Sequence, residues 1–224
     1  MNKIIKKNLN LIYIAAVYVL ILIQYPVSMA IFELTMHQSL GTNLEPGHLL
    51  LWGAVRVILV IPLLFTLLSH DGIKGKDIYL SFGNYRKVIN IAFWGTFFFT
   101  LLGLALYPSF INQTTLGVGN FLRYLPIFML YAITNAFIEE TFFRGISIHY
   151  LMDKMPFWVA NIVQALFFCV IHIISPMTAT PWLFVALTFF LGLLWGLLTK
   201  RTKSLVPAIS LHVIADIFVA ISLF

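Results

Sequence analysis

Runs of about twenty mostly apolar residues recur along the chain, each ended by a short, more polar segment. A helix that crosses the hydrocarbon core of a membrane needs roughly 20 such residues. Seven runs reach that length, at about 9–32, 49–68, 88–107, 122–151, 156–174, 181–199 and 205–224. The pattern predicts an all-α, polytopic bundle of about seven transmembrane helices. The first run follows Lys3, Lys6 and Lys7, lacks a small-residue cleavage site and is as long as the others. It therefore reads as a retained span, not a signal peptide.

The charges between the runs predict the orientation, because cytoplasmic loops are enriched in Lys and Arg. Lysines precede the first run; Lys74, Lys76, Arg86 and Lys87 lie in 69–87, Lys154 in 152–155, and Lys200, Arg201 and Lys203 in 200–204. The segments 33–48, 108–121 and 175–180 contain neither Lys nor Arg. This unbroken alternation predicts a cytoplasmic N-terminus and an external C-terminus. Arg56 and Arg123 fall near the outer ends of their helices; Arg56 can snorkel outward or pair inside the bundle, and snorkelling is the expected outcome. Cysteines introduced at Asn43 and Gln113 should be labelled from outside, and those at Lys76 and Lys203 protected. The opposite labelling pattern would reverse the orientation.

Composition removes the soluble alternatives. Hydrophobic residues make up 61% of the chain and charged ones 10%, where soluble domains carry about a quarter charged. The net charge of +6 sits between apolar runs, so no basic surface with interleaved aromatics is left for nucleic acid. Membrane lipids are the expected surroundings, and the lysine-rich N-terminus suits a multi-pass protein of a bacterial plasma membrane. No loop is long enough for a soluble domain, so 1–224 reads as one integral-membrane domain. Cys169, the single cysteine, reads as a small buried hydrophobe. Gly192 and Gly196 form a small-xxx-small pair that lets another helix approach, and no motif specifies an oligomeric state.

Candidate chemistry begins with the acids. Five of the eight lie in candidate loops, whereas Glu139, Glu140 and Asp216 lie in apolar surroundings. A charge at bilayer depth costs about 3 kcal/mol on the insertion scale unless it is paired or lines a wet cavity, so it marks function by default. Glu140 and Arg144 are four apart and about 40° apart around a helix, so they can pair. Glu139 points about 140° away from Arg144 and is the better general base. A purely structural ion cluster is the alternative. Two more helices bring polar groups to membrane depth: Asn161, Gln164 and His172 on one, His212 and Asp216 at i, i+4 on the other. If the fourth helix runs on through Arg144 to about Leu151, Glu139 lies about 18 Å and His172 about 24 Å above the inner turn around Asp153 and Met155, and His212 lies about 10 Å above the Ser204 end of its own span, at 1.5 Å per residue. Long side chains at those depths can share one pocket, with access from the cytoplasmic half.

Glu139-Glu-Thr-Phe-Phe-Arg144, Phe168-Cys-Val-Ile-His172 and His212-Val-Ile-Ala-Asp216 resemble, in order, the EExxxR, FxxxH and HxxxN/D motifs of the CPBP family. This family comprises the type II CAAX prenyl endopeptidases, the Abi proteins and their bacteriocin-immunity relatives. The resemblance covers about 135–216, within a catalytic core of about 122–224; the first three spans carry no comparable motif. It implies an intramembrane endopeptidase of the glutamate type. Glu139 and His172 would activate water, His212 and Asp216 would support the oxyanion, and Glu140 with Arg144 would order the site. Members that cleave prenylated proteins commonly have Asn where Asp216 stands. An ionised Asp cannot donate to an oxyanion, so Asp216 is expected to orient His212 or to be protonated.

The family has often been labelled metal-dependent, and Glu139, His172 and His212 would be the zinc ligands in that case. No His-Glu-x-x-His helix occurs, and Arg144 opposes a cation beside Glu140, so no cofactor is expected. The substrate implied is a membrane-associated or lipid-modified protein or peptide. A non-catalytic immunity or scaffold protein of the same fold is the main alternative. A proton-coupled transporter ranks below it, since neither an inverted repeat nor paired broken helices occur.

Overall fold

The computed structural model describes residues 46–70, 72–111, 118–174 and 182–222, with scattered positions between 15 and 34. Its order is α1 (Pro46–His70), a 3-10 turn (Gly75–Ile78), α2 (Tyr85–Ile111), α3 (Val118–Glu140), a π-helical segment (Thr141–Ser147), α4 (Ile148–Met152), α5 (Phe157–Ile174), α6 (Trp182–Thr202) and α7 (Val206–Ser222). No strand occurs among the described residues. The all-α expectation holds.

Four of these helical stretches are long and apolar enough to cross a membrane: Pro46–Thr66, Tyr85–Ala105, Gly119–Met152 and Phe184–Thr202. Helices α5 and α7, with 18 and 17 residues, reach only about 27 and 25 Å at 1.5 Å per residue. A hydrocarbon core of about 30 Å slightly exceeds both. The stretch from Gly119 to Met152 has the reverse mismatch. Its 34 residues extend about 50 Å, so it tilts or projects beyond the core. Most of the run at 9–32 lies outside the described residues, as do Asn43 and Gln113.

Local chemistry sets several boundaries. Asn84 Oδ1 accepts the Lys87 amide at 3.2 Å and caps α2. Ser204 Oγ accepts the Val206 amide at 3.2 Å, and Pro207 follows in the first turn of α7, where its missing N–H costs nothing. Lys203 closes α6 with φ 57°, a left-handed position that usually falls to glycine. Two contacts hold it: Ser81 Oγ donates to its carbonyl at 3.3 Å, and its ammonium lies 5.7 Å from the Tyr79 ring centre. The Leu205 amide donates to the Tyr79 carbonyl at 3.0 Å, which ties the α1–α2 connection to the α6–α7 turn.

Helix α3 packs on α1 and α7, α7 also on α2, and α5 on α6. The last pairing uses the glycine pair. A Cβ at Gly196 would collide with Asn161 Oδ1, and one at Gly192 would lie 3.1 Å from Ala165 Cβ and 3.3 Å from Arg144 Nη2. Asn161 Nδ2 donates to the Leu193 carbonyl and Gln164 Nε2 to the Gly192 carbonyl, both at 3.0 Å. Two of the polar groups at membrane depth are thereby spent on helix packing. The first run also contributes: the Tyr18 ring stacks on Phe167 at 4.0 Å and meets the edge of Phe142 at 5.7 Å.

Candidate active site

The acids stand where α3 changes its winding. Glu139 and Glu140 end its regular part, and Thr141–Ser147 continues as a π-helical segment whose seven residues are all buried. Such widened turns are rare and concentrate at functional sites. Arg144, in the middle of this segment, donates from Nη1 to Glu140 Oε1 at 2.9 Å, with both side chains fully buried. The pairing expected from four-residue spacing therefore forms across the junction.

Aromatic faces surround that pair. The Arg144 guanidinium lies 4.1 Å from the Phe168 ring centre, 5.2 Å from Trp195 and 5.8 Å from Phe143. Ring faces attract a cation most strongly where water is excluded. Phe168 also meets His172 at 4.6 Å and His212 at 5.8 Å, and Trp195 stacks on His212 at 4.5 Å. Phe168 thus joins α5 to both the arginine and the two histidines.

His212 is the hub on α7. Its Nδ1 donates to Glu140 Oε1 at 2.7 Å, and its Nε2 lies 3.7 Å from Glu139 Oε2 and 3.5 Å from Asp216 Oδ1. Asn135 Nδ2 donates to Asp216 Oδ2 at 2.8 Å. Asp216 is therefore held as an acceptor beside His212. On α5, His172 Nδ1 donates to the Phe168 carbonyl at 2.7 Å, which makes Nε2 the basic nitrogen of the neutral ring. The structure thus gathers Glu139, Glu140, Arg144, His212 and Asp216 into one buried cluster and joins His172 to it through Phe168.

Arg56 does not snorkel. It is 2% exposed and pairs with Glu139, Nη2 to Oε1 at 3.2 Å, while Nη1 donates to Asn135 Oδ1. Two buried acceptors on α3 compensate the guanidinium inside the bundle, whereas extending it outward would strand Glu139 in apolar surroundings. The acid that Arg144 leaves unpaired thus has a cation of its own, from a helix that carries no family motif. Sequence signals for these partners existed. Arg56 is an ionisable residue inside an apolar run, and Asn135 precedes Glu139 by four, which places both on one helix face. Trp195 had no comparable signal, because a tryptophan in an apolar helix is ordinary.

The donor set is a poor fit for zinc. Among the described residues no three His, Cys, Asp or Glu side chains are disposed to hold a metal ion together. One oxygen of Glu139 and one of Glu140 are each engaged by a guanidinium, and a dication between them would face two positive charges.

Residues 121–218 match the family model of type II CAAX prenyl endopeptidases, Rce1-like. The protein is an apolar helical membrane protein, and this stretch, which holds all seven motif residues, is Rce1-like, in keeping with the CPBP resemblance of its motifs. Arg56 lies outside the matched stretch. No curated protein and no solved structure matches the chain.

Proposed function

We propose that the protein is an intramembrane endopeptidase that hydrolyses a peptide bond in a membrane-associated or lipid-modified protein or peptide. The observation that carries this reading is the convergence, inside an Rce1-like stretch, of two carboxylates, a histidine and a third acid in one buried cluster. Glu139 takes a proton from water, with His172 Nε2 as second acceptor, and the water oxygen attacks the scissile carbonyl carbon. The tetrahedral oxyanion is met by His212. Three carboxylates (Glu139, Glu140, Asp216) face two guanidiniums (Arg56, Arg144), and a proton on His212 would balance that count and supply the positive donor. As the C–N bond breaks, the proton held by Glu139 passes to the leaving amine. Asp216 orients His212, while Glu140 and Arg144 fix it from the other side. A pure scaffold would have no use for so costly a set of buried charges.

Comparative peptidomics of cells making the parent protein or its Glu139→Gln variant tests the reading. Peptides ending at one recurrent bond should disappear with the variant. Identical peptidomes, together with full biological activity of the variant, would favour the scaffold alternative.

Water activation proceeds without metal in this reading, and the two guanidiniums beside the carboxylates support it. Purified protein should hold well under one equivalent of transition metal and keep its peptidase activity through chelation and dialysis. Stoichiometric zinc, with activity lost on removal and restored on addition, would make Glu139, His172 and His212 ligands instead.

A further inference from the structure

We propose that Arg56, on α1 and outside the matched stretch, is a positioning residue that sets the working orientation of Glu139, Asp216 and His212; the inference rests on the peptidase reading above. Its side chain is buried, and its planar fork reaches two groups at once. On one branch, Nη2 holds Glu139 Oε1 at 3.2 Å, which turns Oε2 towards His212 Nε2, 3.7 Å away.

On the other branch, Nη1 takes Asn135 Oδ1 and so decides which way that amide faces. Its Nδ2 then donates to Asp216 Oδ2 at 2.8 Å, and the second oxygen of Asp216 lies 3.5 Å from His212 Nε2. With the amide reversed, two acceptor oxygens would oppose each other, because an ionised carboxylate can only accept. One guanidinium therefore specifies four side chains, two directly and two through them.

The backbone beneath it is held close. A Cβ at Gly53, three residues before Arg56, would already touch Thr134 Oγ1 at 3.4 Å, and Leu49 and Trp52 of the same helix are fully buried. This packing places α1 against the turn of α3 that carries Asn135. Lysine would bring the charge but not the fork, and could not hold both partners in one plane.

The test compares the parent with Arg56→Lys, Arg56→Met and Asn135→Leu in detergent. It uses a quenched peptide built on the cleavage site found by peptidomics, thermal midpoints, and the 15N signals of the histidine rings, with His212→Gln to assign His212. In Arg56→Met, kcat should fall about 100-fold, the cost of misplacing a reacting group by about 1 Å, while KM changes by less than about threefold. Arg56→Lys should lose less, about tenfold. The His212 signals should move in Arg56→Met and Asn135→Leu, while those of His149 stay. Should Arg56→Met fail to fold, Arg56→Lys and Asn135→Leu decide the matter by the same readings. Parental kcat with an unmoved His212 signal would overturn the proposal, as would a parallel loss of stability and activity with no His212 shift in the folded fraction. If the parent cleaves nothing, the peptidase reading fails, and the His212 signals still decide whether Arg56 positions the cluster.

Discussion

Replacing Glu139 by Gln should abolish most turnover, by about 100- to 10,000-fold, the range expected when a positioned general base is removed. His172→Ala should cost a similar factor, and the double variant should be little worse than either, because residues that activate one water act as a unit. Gln is the informative substitution at 139. It has the shape of Glu and an oxygen that can still accept from Arg56 Nη2, now 3.2 Å from Oε1, whereas Ala would leave the buried guanidinium with one partner fewer. Loss of activity in a folded Glu139→Gln protein therefore reports on proton transfer rather than packing. The measurement is cleavage of the quenched peptide by folded protein in detergent or liposomes. Near-parental cleavage by Glu139→Gln would sink the mechanism, and strictly multiplicative losses in the double variant would separate His172 from the water that Glu139 activates.

Arg144→Ala should destabilise the fold by about 3–5 kcal/mol, the usual penalty for removing one partner of a buried ion pair. Glu140, fully buried, would keep His212 Nδ1 but lose the guanidinium 2.9 Å away. The space left between Phe168, Trp195 and Phe143 would lose its cation–π contacts as well. Folded yield and thermal midpoint in detergent, compared at one scan rate, should both drop. Arg144→Lys should recover only part of the loss, because a lysine offers no planar guanidinium to lie against the Phe168 ring. A variant as stable as the parent would mean that the Glu140–Arg144 pair contributes nothing net to the folded state.

The contrast between Glu139 and Glu140 marks how far residue spacing could be read. Regular helical geometry assigned Arg144 to Glu140, and that pair forms. The same geometry leaves Glu139 without a cation, because Arg56 lies 83 positions earlier and separation along the chain carries no information about which apolar helices touch. Nearness to a helix end favours snorkelling for Arg56 over pairing inside the bundle, but that local criterion ignores what faces it. The π-helical widening at Thr141–Ser147 was equally hidden. Its residues keep an apolar helical pattern, and nothing in Thr-Phe-Phe-Arg-Gly-Ile-Ser distinguishes a wide turn from a regular one.

Hydropathy alone determined that this protein is an all-helical membrane bundle, since a continuous apolar run of about twenty residues satisfies its backbone in lipid as a helix, whereas a barrel strand would show about ten alternating residues. The spacing of Glu139, Glu140 and Arg144, of Phe168 and His172, and of His212 and Asp216 determined which residues share a helix face and which family they resemble. Only the tertiary structure decided that His212 lies between all three acids, that Asn135 turns its amide to Asp216, and that α1 supplies the cation for Glu139. The reason is physical: faces follow from the 3.6-residue period of a helix. Partners follow from how close two helices can pack, which Gly53, Gly192 and Gly196 permit at the points where Thr134, Arg144 and Asn161 approach them.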